Sequence, residues 1–208
     1  MRNLIHLRQI SQSRKWTRMD YYQKMITIRH TNIEYSFRDG KPGYAWNWLT
    51  GCGNGTDICK VRGTPAGCWA EKRVAPRCYK GDFTPTIHED IFNRDFPRKP
   101  SIILVCFTGD ISYATELQIA FMLRKISFYP EHTFILLTKR PHVAYAPILD
   151  ADSVTVLGWP DNAWLGISLT GAETTERQQA VMDALKAVKG GHKWLSFEPM
   201  LGPLAVSM

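Results

Sequence analysis

The chain has 208 residues, 44% of them hydrophobic and 22% charged, with a formal net charge of +7. This is the composition of a soluble globular protein, long enough for one domain with a sizeable core. No apolar run approaches the roughly 20 residues that span a bilayer, and the first residues lack the apolar core of a secretory signal. The expected location is therefore cytoplasmic, with no membrane partner and with reduced cysteines, which in that compartment bind metal or catalyse more often than they pair.

Residues 1–30 hold seven basic side chains and one acid, so nearly all of the net charge sits there. They read as a basic N-terminal extension, open to three interpretations: a contact for phosphates, a solvated tail, or a stretch upstream of a start at Met19 or Met25. Residues 31–208 read as the folded domain.

The first strand is expected in YAWNWLTG (44–51). A Gly-rich loop follows with Cys52, Cys59 and Cys68, and a helix is expected from about 68 to 75, ending near Pro76. Further strands are expected at SIILVCF (101–107), TFILLT (133–138), WLGISL (164–169) and WLSFE (194–198). Their centres fall about 30 residues apart, the length of a strand–helix unit. Between them, 113–128 places Ile119, Met122, Leu123 and Ile126 on one helical face, with Pro130 stopping the run. Residues 175–189 place Val181, Ala184, Leu185 and Val188 on one face, with Thr174 as N-cap and Gly190–Gly191 ending the helix. A shorter helix is expected in 141–150 and a surface loop in 151–163.

Continuous apolar strands alternating with helices indicate an α/β fold with a parallel sheet buried on both faces. Five units fall short of the eight of a closed barrel, so the expectation is a partial (βα) TIM-type barrel in a C-terminally truncated chain. In such folds the loops at the carboxyl ends of the strands share one face. That face would gather the three cysteines, Thr108–Gly109–Asp110, Thr138–Lys139–Arg140, Ser168–Thr170 and Glu198.

Three thiolates on one loop can hold three irons of a [4Fe-4S] cluster and leave the fourth open for another ligand. A structural zinc would need a fourth protein ligand, for which Cys78 and His88 are the nearest candidates. Lys139 and Arg140 suit a carboxylate or phosphate, or a solvated loop. Asp110 suits either an amino or ribose group or the N-cap of the next helix, and Ser168 either a ligand contact or a cap. Cys106, inside an apolar strand, reads as core.

The phrases NIEYSF, WNWLTGC, CWAEKR, TIHEDIF, GDIS, HTFILLTKRP, AWLGISL and LSFEPMLGP, in this order between Thr31 and Leu204, resemble a phage-type protein family of unknown function with a three-cysteine motif. That family is similar to radical SAM enzymes of the spore photoproduct lyase kind. The resemblance implies a radical SAM-type partial barrel with a [4Fe-4S] cluster on Cys52, Cys59 and Cys68. It implies S-adenosylmethionine across the strand ends, contacted from among Asp110, Lys139, Arg140, Ser168 and Glu198. Reductive cleavage of that cofactor would modify an unknown substrate, with nucleic acid among the candidates, and an electron donor such as flavodoxin or ferredoxin would be the partner. The cysteine gaps are six and eight residues, where radical SAM enzymes usually have three and two; the inserted KVRGTPAG lengthens the second gap. Trp69 matches an aromatic that often follows the last cysteine. The alternative reading is a zinc-stabilised nucleic-acid-binding module without catalysis.

Overall fold

The structure, a computed structural model, describes residues 28–145 except 32, 34, 35 and 42, and residues 159–205. The expectations for residues 1–27, for the end of the 141–150 helix and for the first part of the 151–163 loop lie outside the described residues.

Among the described residues, eight strands form two sheets. The larger has six: β1 (Arg29–His30), β2 (Tyr44–Trp46), β5 (Ile102–Val105), β6 (Thr133–Thr138), β7 (Trp159–Leu169) and β8 (Gly190–Phe197), in that spatial order. Each of the last five runs parallel to its neighbour, and β1 closes one edge by pairing antiparallel with β2. The smaller sheet is a ribbon of β3 (Leu49–Thr50) and β4 (Thr86–Ile87), paired antiparallel. The fold is mixed α/β with a mostly parallel sheet, as the strand pattern predicts.

The central strands are short runs of branched apolar residues. Ile103, Leu104, Val105, Phe134, Leu136, Leu165 and Ile167 are buried, as strands covered on both faces require. Among the described residues the α-helices are α1 (Ala75–Cys78), α2 (Glu89–Phe92), α3 (Glu116–Ser127), α4 (Pro141–Ala144) and α5 (Thr175–Ala187). Helices α3 and α5 pack on β7.

In α3 the buried face is Ile119, Met122, Leu123 and Ile126, the four side chains the helical spacing predicts. Each such burial contributes roughly 1.5–3 kcal/mol. The helix starts with a reciprocal cap: Thr115 Oγ1 accepts from Gln118 N at 3.3 Å, and Gln118 Oε1 accepts from Thr115 N at 2.8 Å. The expected run from 113 begins instead with a 3-10 turn, Ile111–Tyr113. In α5, Thr174 caps as expected, accepting from Arg177 N. Val181, Leu185 and Val188 are buried as expected, Ala184 is half-buried, and Gln178 and Met182 join the buried face.

Other boundaries differ for identifiable reasons. The first strand breaks after Trp46, and the chain steps into the β3–β4 ribbon, so YAWNWLTG serves two sheets. Trp159–Ala163 is strand rather than loop: β7 and β8 shift register between Trp159 and Trp164, and that irregularity accommodates Pro160. Gly190 and Gly191 open β8 instead of capping α5, whose cap residue Val188 is extended. Residues Ala70–Val74 form a π-helix that runs into α1 through Pro76, which therefore starts the α-helical turn rather than ending the helix.

Thr115→Ala removes one half of the reciprocal cap. It is expected to lower stability by about 1 kcal/mol, read as a lower urea midpoint with an unchanged slope.

Candidate functional site: a thiol-bearing rim at the strand ends

The cysteine loop spans the connection between β3 and β4, and the ribbon clamps both its ends. Cys52 N donates to Phe83 O at 2.9 Å, and Gly51 N donates to Thr108 O at 3.0 Å. Gly51 also bridges Gly109 in parallel register, which fixes the loop's start on the carboxyl end of β5. Gly51 has φ +79, and a Cβ there would sit 2.2 Å from Thr84 O, so only glycine allows this approach.

Asp110 fastens the loop to the sheet. Its Oδ1 accepts from Ser112 N at 3.0 Å and from Thr138 Oγ1 at 2.6 Å. Its Oδ2 accepts from Asn54 Nδ2 at 2.9 Å and from Lys139 N at 3.2 Å. One buried carboxyl thus joins the loop, the end of β5 and the end of β6. The capping role expected for Asp110 is present, and it is one bond of four.

Asn54 completes the anchor. Tyr113 OH donates to its Oδ1 at 3.1 Å, its N–H donates to Cys52 Sγ at 3.4 Å, and its carbonyl accepts from Arg62. Arg62 lies in the inserted KVRGTPAG segment, on a 3-10 turn at Lys60–Gly63, and forms a two-bond pair with Glu71 at 3.0 and 2.7 Å.

Cys52 and Cys68 lie near this guanidinium, and Cys59 lies near Cys52. Burial pushes the Cys52 thiol up to about 12; the Asn54 N–H opposes the shift, the Asp110 and Cys59 charges add to it, and Arg62 opposes it. Arg62 is itself held above its ordinary value, first by its hydrogen bond to Glu71, with Cys52 and Cys68 both acting on it. None of the five cysteines is in a disulfide. Among the described residues, no group of three or more His, Cys, Asp or Glu side chains is arranged to hold a metal ion. The three thiols have the soft chemistry of an iron–sulfur or zinc ligand set, two of them near one cation, but they are not closed around a common centre.

The other predicted residues lie on the same rim with unequal roles. Lys139 Nζ donates to Ser168 Oγ at 2.7 Å, joining the ends of β6 and β7. The Arg140 guanidinium lies 5.4 Å from the Tyr113 ring centroid, and its Nε is buried with no hydrogen-bond partner. Arg177 from α5 adds a third cation, donating to Lys139 O at 2.9 Å. This charge is felt by His142, which burial and then the Arg177 and Arg140 charges hold below its ordinary value. Glu198 is exposed beyond β8.

The two zinc candidates have other partners or positions. His88 Nε2 lies 2.8 Å from Thr50 Oγ1, and burial lowers its pKa. Cys78 ends α1. Cys106 is buried, as expected of a core residue, and burial raises its thiol pKa. Trp46 and Trp48 are fully buried in the core, while Trp69 is 60% exposed.

Asn54, Arg62, Tyr113, Arg177 and Glu173 were not singled out from sequence. Glu173 is buried and accepts from Thr170 N and Oγ1, closing the turn after β7. Only the Gly-Asn-Gly around Asn54 and the lone arginine of the insertion were visible signals. A larger cavity of about 930 Å3 lies behind α3 against Trp48, Phe92, Phe121 and Phe128. Its Lys125 is engaged by the carbonyls of Phe92 and Arg94.

Fold and rim together define an α/β protein with thiols and cations at the carboxyl ends of a parallel sheet. A sequence family described as Protein of unknown function (DUF5131) matches residues 30–208, and the chain belongs to it. Comparison with curated proteins and with solved structures gave no match.

Two outcomes follow from this geometry. Asp110→Ala strands four donors, two of them backbone N–H groups, and is expected to cost about 3 kcal/mol or more in urea denaturation; a loss under 1 kcal/mol would show that the anchor lies elsewhere. In metal-free protein at pH 8, alkylation of Cys52 is expected to be on the order of a hundred-fold slower than in the unfolded chain. The raised thiol favours the folded state below pH 9 and loses that contribution as pH rises towards about 12, so alkylation read by mass spectrometry should accelerate over that window.

Proposed function

We propose that the protein is an iron–sulfur enzyme of radical SAM type on a partial (βα) barrel. Cys52, Cys59 and Cys68 would hold a [4Fe-4S] cluster, and S-adenosylmethionine would lie across the neighbouring strand ends. The observation that carries this reading is the placement of all three cysteines on one loop clamped to the carboxyl end of β5, where Cys59 acts on Cys52 and Arg62 stands near Cys52 and Cys68. Sequential parallel order from β2 through β5, β6, β7 and β8 supports the barrel, since it is how strand–helix units close. The resemblance described above supports the cofactors.

When bound, the cluster would supply one electron for reductive cleavage of S-adenosylmethionine, whose chemistry then acts on an unactivated C–H bond. The chain's own residues would position that cofactor. Lys139, with one N–H given to Ser168, keeps donors for the carboxylate of an amino acid moiety. The buried Arg140 Nε is a donor in need of an acceptor. The exposed Glu198 suits an ammonium or ribose hydroxyls at the outer edge. Asp110 would act through position, since its four bonds hold the loop and the β6 end together. Metal would have to displace the proton of the Cys52 thiol, so loading is expected to release protons and to strengthen with pH.

Anaerobic reconstitution with iron and sulfide should give a brown protein with about four irons per chain. Cys59→Ala should lose most of that iron and the visible absorbance. A colourless protein holding one zinc would replace this reading with the zinc-stabilised module. With reductant, the loaded protein should release methionine from S-adenosylmethionine. Lys139→Ala should weaken cofactor binding about tenfold while leaving the iron content unchanged.

A further inference from the structure

The amino end of the sheet, away from the thiol rim, has its own chemistry. A cavity of about 320 Å3 opens where β2 and β5 begin, and its lining includes His30, Arg38, Lys41, Tyr44 and Lys99. Arg38 and Lys41 face each other across a two-residue turn. Arg38 N donates to Lys41 O at 3.0 Å, and Lys41 N donates to Arg38 O at 2.9 Å. Between them Asp39 has φ +51 and Gly40 φ +72, the left-handed pair that a tight hairpin turn demands.

This turn holds two cations directly opposite each other, an arrangement that costs free energy when nothing neutralises it. Lys99, on the segment leading into β5, is a third exposed cation on the same cavity. Asp39 is the one acid in the lining, and among the described residues it forms no ion pair with Arg38, Lys41 or Lys99. Arg38, Lys41 and Lys99 are all exposed, so an external anion can reach them.

Beside them is an aromatic surface. His30 on β1 pairs with Tyr44 on β2, and their rings lie 4.3 Å apart at 35°. His30 is exposed. The chain reaches this edge from residues 1–27, whose sequence has six basic side chains and one acid.

We infer that this edge binds single-stranded nucleic acid, with backbone phosphates on Arg38, Lys41 and Lys99 and an unpaired base against the His30–Tyr44 rings. Clustered cations supply the salt-dependent attraction to phosphate, and an aromatic face supplies stacking that a paired base cannot reach. Because the edge lies away from the thiol loop, its affinity is expected to persist in metal-free protein.

The test uses the full chain and a fluorescein-labelled oligothymidylate of about 16 nucleotides, with anisotropy measured over a range of salt. The expected result is binding whose logarithm falls linearly with the logarithm of salt. The variant R38Q/K41Q/K99Q should flatten that slope by about 2, the share of three phosphates on a single strand. His30→Ala should weaken binding roughly tenfold with the slope unchanged. Lys99→Glu, on an exposed side chain, checks the charge contribution without touching the turn, and should weaken binding further at low salt. An unchanged affinity and slope in the triple variant would overturn the inference, because the charge of residues 1–27 would then account for binding alone. Failure of the parent chain to bind at low salt, or equal affinity for a duplex of the same length, would overturn it too.

Discussion

The position of the thiol loop depends on one buried carboxyl. Removing a carboxyl from water is costly unless its oxygens find donors, and Asp110 finds four. Because those donors come from the loop, from the turn after β5 and from the end of β6, satisfying the carboxyl also fixes the three segments relative to one another. The rest of the rim follows from that fix. Asn54 is held by Asp110, and Asn54 in turn receives Tyr113 and Arg62. Lys139 begins its reach to Ser168 from a backbone N–H bonded to the same carboxyl.

The inserted segment between the second and third cysteines changes the electrostatics of the loop. Arg62 stands near Cys52 and Cys68 while paired to Glu71, with both side chains only partly exposed. A partly exposed ion pair contributes little on its own; here it adds to the bond on the Asn54 carbonyl and holds a cation beside sulfur. That cation favours thiolate, but burial dominates at Cys52 and keeps its proton. Burial therefore disfavours alkylation and oxidation of Cys52 at neutral pH, since the thiolate is the reactive form.

The sequence was legible where a residue's role depends on its near neighbours. The apolar run TFILLT is β6 to the residue, and the 3.6-residue spacing of Ile119, Met122, Leu123 and Ile126 is the buried face of α3. It was misleading where a tertiary partner overrides a local signal. Pro160 and Asp161 read as loop, yet a register shift against β8 lets a strand continue through them. Gly190 and Gly191 read as a helix end, yet they start a strand that pairs with Trp159. The rim was legible in outline because parallel strand–helix units put their carboxyl ends on one face. The particular contacts were not, because Asn54–Asp110 and Arg62–Glu71 join residues whose pairing depends on how the loop folds back.

The two ends of the sheet divide the chemistry. Thiols and the cations Lys139, Arg140 and Arg177 border the carboxyl ends, while Arg38, Lys41 and Lys99 border the amino ends. At about 3.3 Å per residue a six-residue strand such as β6 separates them by roughly 20 Å. An anion at one end is then beyond a Debye length of the other at physiological salt, so neither patch substantially alters the other's affinity through charge alone. A polymer could still couple them by passing around the β1 edge, with its hold on the cationic turn raising the local concentration of bases near the thiol rim. In that arrangement the amino-end patch would select the strand and set its path, and the thiol rim would meet whichever base the path delivers.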